Sequence, residues 1–225
     1  YVRLSRQDQE AISPLADAKT WLALAEQAAD AGMLYLLITG GEPFLHPQFR
    51  QILEGLHKMG LLITLNTNGT LIDENTIKWL VNCPPVRVNI SLYGASDETY
   101  GRLCGNSKGF TQATNAIKLL KDAGIPVKIN CSLTPYNCDD LEGIIDFANR
   151  QELVVQVATY MFPPVRKDQD SVGKNHRFTP EQAAYYMAKS ELLTLGKDRY
   201  EALECPVPTP PEDCGELGDG VRCRA

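Results

Sequence analysis

Two hydrophobic periods alternate along this chain. Short runs rich in β-branched and aliphatic residues occupy positions 33–39 (MLYLLIT), 61–67 (LLITLNT), 86–92 (VRVNISL), 127–134 (VKINCSLT) and 153–160 (LVVQVATY). Their length and composition predict five buried strands. Between them the apolar positions step by three and four. Ala18, Trp21, Leu22, Ala25, Ala28 and Ala29 form one such stripe, and Phe49, Ile52, Leu53, Leu56 and Met59 form the next. Ile77, Leu80 and Val81, then Phe110, Ala113, Ile117 and Leu120, then Leu141, Ile144, Ile145 and Ala148 continue the series. Each stripe predicts an amphipathic helix. Gly32, Gly60 and Gly124 stand where three of the helices should stop, Asp73 and Asp139 where two should be capped, and Pro47 in a first helical turn. Residues 1–13 and the stretch after Tyr93-Gly94 read as loops.

Strand and helix in alternation demand a mostly parallel sheet with right-handed crossovers, an α/β fold. Five units fall short of a closed eight-fold barrel, so an open or partial barrel is expected; periodicity leaves a doubly wound sheet open. A last helix starts at Thr179-Pro180-Glu181-Gln182, which has capping-box spacing with Pro at the first helical position, and carries Ala183, Tyr186, Met187 and Leu193 on its apolar face. Residues 1–195 thus read as one core. Residues 196–225 change character into an irregular Cys-, Pro- and Gly-rich tail.

Composition narrows the partners. The chain has 225 residues, 44% hydrophobic and 22% charged, enough for one large core. A formal charge of −6 gives no electrostatic footprint for nucleic acid. No apolar run approaches a membrane span and no signal peptide is visible, so a cytoplasmic protein is the default expectation. Four of the seven cysteines (Cys83, Cys104, Cys131, Cys138) lack metal-ligand spacing and read as small hydrophobes. The other three, Cys205, Cys214 and Cys223, fall nine residues apart in the tail, which is not a zinc spacing. His46 and His57 read as structural, and His176 has no partner arrangement.

The chemistry concentrates where strands end. Gly40-Gly41-Glu42-Pro43 follows the first strand, Asn66-Thr67-Asn68-Gly69 the second, and Ser91-Leu92-Tyr93-Gly94 closes the third. Taken singly, each is an ordinary tight turn or local cap. In a parallel sheet, however, all strand C-termini share one rim, and ligands are held there. The two glycines let backbone approach a ligand, and Glu42 offers a carboxylate suited to an ammonium.

With these motifs in this order, nearly the whole chain resembles the radical S-adenosylmethionine (SAM) enzymes. The resemblance implies a partial (β/α)6 TIM-like barrel, with GGEP after the family's second strand and the Asn-Gly turn after its third. Tyr1-Val2-Arg3-Leu4-Ser5 resembles the residues directly after the family's CxxxCxxC loop. The first strand and the three cysteines of the main cluster are therefore expected upstream of Tyr1. Cys223-Arg224-Ala225 resembles the start of the stretch that opens the auxiliary-cluster region of SPASM-type members, which often modify ribosomally made peptides, for example by thioether crosslinks.

The implied chemistry is reductive cleavage of SAM at a 4Fe–4S cluster, giving a 5′-deoxyadenosyl radical that takes hydrogen from a peptide or protein. The implied cofactors are SAM, the 4Fe–4S cluster and an auxiliary cluster. A reductant such as flavodoxin or ferredoxin would supply the electron. By resemblance Gly40, Gly41 and Glu42 hold the methionine amino group, with Pro43 among the cofactor-binding residues, Ser91 the ribose or carboxylate side, and Arg102 the methionine carboxylate. Relatives often carry Arg-Gly where this chain has Cys104-Gly105. Asn68 and Asn130 are rim candidates near the nucleoside, Tyr160 and Met161 candidates to pack on adenine, and Cys223 a candidate auxiliary-cluster ligand. A different class stays open, a cluster-less module that binds SAM or peptide without redox activity. An aldolase- or lyase-type barrel has less support, because no strand-end Lys, His pair or phosphate-type glycine loop is present.

Overall fold

The computed structural model describes residues 16–160, 177–203 and 209–210. Five parallel strands form one sheet in the order β1-β2-β3-β4-β5. They are β1 (Tyr35–Ile38), β2 (Leu62–Thr67), β3 (Arg87–Ser91), β4 (Val127–Ser132) and β5 (Val154–Ala158). All five fall inside the runs predicted from hydrophobicity. The strictly sequential order is that of a barrel arc; a doubly wound sheet would reverse its order partway along.

The crossovers are helical. α1 (Ala18–Asp30) precedes the sheet, α2 (Phe49–Lys58) follows β1, and α3 (Glu74–Leu80) follows β2. After β3 come α4 (Asp97–Cys104) and α5 (Gly109–Asp122), and after β4 comes α6 (Leu141–Arg150). Beyond β5 lie α7 (Pro180–Leu195) and the short α8 (Lys197–Glu201), which occupies the start of the segment read as an irregular tail.

Caps fix several helix starts. The Asp17 carboxylate accepts from Thr20 N–H at 2.8 Å and the Asp73 carboxylate from Thr76 N–H at 2.7 Å. At α7 the expected capping box is complete: Gln182 N–H donates to Thr179 Oγ1 at 3.2 Å, and Thr179 N–H donates to Gln182 Oε1 at 3.0 Å.

Four local expectations are corrected. The stretch after Tyr93-Gly94 contains α4, capped by Ser96 and held down by buried Tyr100 rather than by a regular apolar stripe. Asp139 does not cap α6; it lies in a single 3-10 turn, Cys138–Asp140, and the helix starts at Leu141. Pro47 precedes α2, while Pro43 opens a separate 3-10 turn, Pro43–Leu45. Trp21 and Val81, placed on apolar stripes, are 48% and 44% exposed.

The two faces of the sheet differ. Ile63, Leu65, Val88, Ile90, Ile129 and Cys131 alternate onto the face covered by helices and are buried. They pack with Leu53, Leu80, Ile117, Leu120 and Ile144 from those helices. The other face carries Thr64 and Asn66 of β2, Arg87, Asn89 and Ser91 of β3, Lys128 and Asn130 of β4, and Gln156 of β5, with exposed Tyr35 and Leu37 of β1 and Val154 of β5 at its outer strands. A strand one residue out of register would exchange these two sets, so the apolar face fixes the polar one.

Candidate functional site

The rim at the strand C-termini is tied together by hydrogen bonds between loops. After β1 the chain turns through Gly40, at φ +154°, and Gly41; a Cβ built on either meets nothing within 4 Å. The positive φ explains glycine at position 40, and both positions are exposed. Glu42 follows, and its carboxylate is firmly held. Oε1 accepts from the Thr67 hydroxyl at 2.6 Å and from Phe44 N–H at 3.2 Å, and Oε2 accepts from Asn68 N–H at 2.8 Å. A carboxylate has about four acceptor positions, so three donors leave roughly one free, on Oε2. Pro43 is buried beneath it and starts the 3-10 turn.

Thr67 is the residue that sequence reasoning left without a role. Buried at the end of β2, its hydroxyl donates to Glu42 and accepts from Gly69 N–H at 3.0 Å, linking the GGEP turn to the Asn-Gly turn. Asn68 contributes its backbone N–H. Its side-chain oxygen is engaged by Thr70 N–H at 2.8 Å and by the Thr70 hydroxyl at 2.7 Å.

The third and fourth loops form a second tied pair. Tyr100 reaches from α4 to the end of β3, where its hydroxyl donates to Ser91 O at 3.3 Å and accepts from Tyr93 N–H at 3.1 Å. Burial pushes that phenol well above its usual pKa, so it stays protonated. Buried Asn137 donates to Tyr93 O at 2.9 Å, and Asp140 accepts from Ala95 N–H at 2.8 Å. The aspartate that matters here is therefore neighbour to the predicted cap. Arg102, in the last turn of α4, donates to Tyr136 O at 3.2 Å and is otherwise exposed, between the same two loops. Neither Tyr100 nor Asn137 carries a periodic signal; only proximity to SLYG in sequence hints at the first.

Ser91 pairs in register with Asn130, and Asn130 with Gln156, across the open face just below the rim. Asn130 Oδ1 is buried and has no hydrogen-bond partner among the described residues. A buried carbonyl-type oxygen left unpaired is costly, which points to a donor from a bound molecule.

Sequence-predicted residues Gly40, Gly41, Glu42, Pro43 and Asn68 thus meet at one end of the rim, and Ser91, Asn130 and Arg102 stand on the adjoining strands and loop. Tyr160 lies past the end of β5 and is 63% exposed. Met161, His176, Cys205, Cys214 and Cys223 lie outside the described residues. His46 behaves as structural: its Nε2 lies 3.0 Å from Ala16 O, and its Nδ1 accepts from Gln48 N–H at 3.1 Å. Among the described residues no three Cys, His, Asp or Glu side chains group so as to hold a metal ion. Cys131 is fully enclosed, and burial pushes its thiol up to about 12. Nor is any helix among the described residues long and apolar enough to cross a membrane.

Comparison with known proteins gives a consistent result. The profile described as the Radical SAM superfamily matches residues 11–148. The PqqA peptide cyclase of Ruegeria pomeroyi is 30% identical over 132 residues, covering 59% of this chain and 35% of the relative. The antilisterial bacteriocin subtilosin biosynthesis protein AlbA of Bacillus subtilis is 34% identical over 114 residues, covering 50% and 25%. This chain therefore spans about a third or less of those relatives. Among solved structures, anSMEcpe with bound AdoMet and a peptide superposes with a TM-score of 0.65 at 19% identity, over 84% of this chain and 54% of that one. SuiB of Streptococcus suis bound to precursor peptide SuiA gives 0.64 at 20% identity, over 85% and 41%. At these identities the structural likeness speaks for the fold.

Proposed function

Because this chain belongs to the radical SAM superfamily, we propose that its rim binds SAM and that the whole protein uses it to modify a peptide. The observation that carries the proposal is the held Glu42 carboxylate with roughly one acceptor position left over, on a rim just above the Asn130 oxygen that has no partner among the described residues.

The residues fit the cofactor. The free position on Glu42 Oε2 suits the methionine ammonium, and the open space at Gly40 and Gly41 lets that end of the molecule lie against backbone. Ser91 and Asn130, side by side on adjacent strands, would take the ribose hydroxyls, with Asn130 Oδ1 as acceptor. Arg102 keeps guanidinium N–H groups beyond its bond to Tyr136 O and would answer the methionine carboxylate. Thr67, Tyr100 and Asn137 orient these groups without touching the ligand.

A 4Fe–4S cluster, when bound, would supply the electron for reductive cleavage of SAM to a 5′-deoxyadenosyl radical. None of the described cysteines is assigned to it. Cys223 is kept as an auxiliary-cluster ligand on the sequence resemblance alone. The names of the relatives, a peptide cyclase and a bacteriocin biosynthesis protein, support a peptide as the hydrogen donor. A flavodoxin or ferredoxin is kept as the reductant on the sequence resemblance alone.

The test is 5′-deoxyadenosine formation by the full-length protein, reconstituted anaerobically and reduced with dithionite, beside its E42A variant. Product from the wild type and at least a tenfold loss in E42A is the expected result. A cluster-loaded wild type that binds SAM and forms no product would shift the assignment to the redox-silent binding module. Equal activity in E42A would remove Glu42 from the site.

A further inference from the structure

The open face of the sheet holds a second set of groups, below the row of Ser91 and Asn130. Arg87 begins β3, and Lys128 is the second residue of β4. Val88 pairs with Val127 and Asn89 with Lys128, so Arg87 and Lys128 are diagonal neighbours on one face. Strand spacing and residue rise put their Cβ atoms about 8 Å apart. Both point to the side of the sheet opposite the described helices that pack on Ile63, Val88 and Ile129.

Among the described residues these cations have no anionic partner. No Asp or Glu occupies this face of any of the five strands. Arg87 is exposed, and the Lys128 ammonium donates to the neutral Gln156 Oε1. Desolvation, with the Arg87 charge as a smaller cause, lowers the Lys128 pKa, the mark of a cation lacking a counter-ion. In a chain of net charge −6, a face with two cations and no acid stands out.

Beside both stands Asn89, two residues on from Arg87 along β3 and paired in register with Lys128. It is only 7% exposed; its amide NH2 donates to Asn66 Oδ1 at 2.7 Å, while its own Oδ1 is buried with no partner among the described residues. That orphan oxygen needs an N–H donor, and the cations beside it need an anion. A peptide residue bearing a carboxylate carries both: the side chain would lie between the Arg87 guanidinium and the Lys128 ammonium, and its backbone N–H would donate to Asn89 Oδ1.

From this juxtaposition we infer that Arg87, Asn89 and Lys128 form a recognition site for an acidic residue of the peptide substrate. The site is distinct from the proposed SAM residues and rests on the reading of the protein as peptide-modifying. Lys128 sits two residues below Asn130 on the same strand, about 7 Å by strand rise, so a peptide anchored here would lie within reach of the nucleoside end of the cofactor.

The test is binding, read by NMR on the full-length protein. The probe is the acetylated, amidated tripeptide Ala-Glu-Ala, with Ala-Gln-Ala as its neutral match and acetyl-Ala-Ala-Ala with a free C-terminal carboxylate as a third arm. The glutamate peptide should shift the Lys128 ε-methylene and the Asn89 side-chain amide in a saturable manner. R87Q and K128Q should each weaken it several-fold, and together at least tenfold. Equal binding of the glutamine peptide, no saturable shift, or no effect of the double variant would overturn the site. Binding of the free-carboxylate peptide alone would overturn its assignment to an acidic side chain. Adding SAM to the wild-type sample and following the Asn130 side-chain amide tests the cofactor site separately, so failure of one reading is told from failure of the other.

Discussion

At Thr67 one hydroxyl serves two loops, and its loss should be felt in both. Replacing it by Val removes the donor to Glu42 Oε1 and the acceptor for Gly69 N–H in a site only 3% exposed. The unpaired buried N–H alone costs about 1–3 kcal/mol. We expect T67V to lower unfolding stability in urea by that amount and to weaken SAM binding. T67S, which keeps the hydroxyl, should recover most of both; a T67V protein with unchanged SAM affinity would mean that Glu42 is positioned by its backbone contacts alone. Position 67 stands in plain view in the NTNG motif. Its role is not legible there, because a strand-end Thr looks alike whether it caps a turn or holds a carboxylate twenty-five residues away. Glu42 and its glycines are legible because their order and setting are unusual; Tyr100 and Asn137 are not, since Tyr100 lies in a helix without an apolar stripe and Asn137 acts through Tyr93, forty-four residues away.

Elements are most legible where composition and period agree. All five strands lie in aliphatic runs, and the buried faces of β2, β3 and β4 allow one register only; β1 and β5, expected to be buried, have no fully buried residue because they lie at the sheet's outer edges. α4 escapes because DETYGRLC has few apolar residues and an internal glycine; it forms under tertiary control, through Tyr100 packed between Tyr93 and Phe110. The Asp73 cap of α3 is legible and has a measurable consequence. D73A should cost about 1 kcal/mol. Its bonds to Thr76 hold the Asp73 carboxyl below the usual carboxylate range. Its folded pKa being the lower one, the charge-dependent part of the cap is fully present above the unfolded value, about 3.9, and fades as pH falls through the folded value. Urea unfolding between pH 2.5 and 6 should show this extra acid sensitivity in the wild type and less of it in D73N, whose amide oxygen still caps. Identical acid profiles would rule out Asp73 as a contributor.

Across the molecule, the four described cysteines Cys83, Cys104, Cys131 and Cys138 lie at different depths. Burial and the Asp140 charge place Cys131 furthest from reactivity, with a pKa of about 12. At pH 8 its thiolate fraction is about one in ten thousand, before access is considered. Iodoacetamide followed by mass spectrometry should therefore mark Cys104 and Cys138, both half-buried, ahead of Cys131. Cys131 should be modified only at the rate of global unfolding. Early labelling of Cys131 without loss of circular dichroism would reveal local opening of the sheet between β4 and α6. The barrel-type architecture can be argued from strand–helix alternation, but periodicity does not separate it from a doubly wound sheet. That choice depends on which strands pair, a long-range property, and it is settled by the sequential order.

The same order bears on how the protein is made. Every strand from β2 onward pairs with the strand that precedes it in the chain. As the polypeptide leaves the ribosome, each new strand meets an edge that is already synthesised and need not wait for a distant partner. The sheet can therefore be laid down in the direction of translation, and each unfinished intermediate presents one growing edge to the chaperones that attend it.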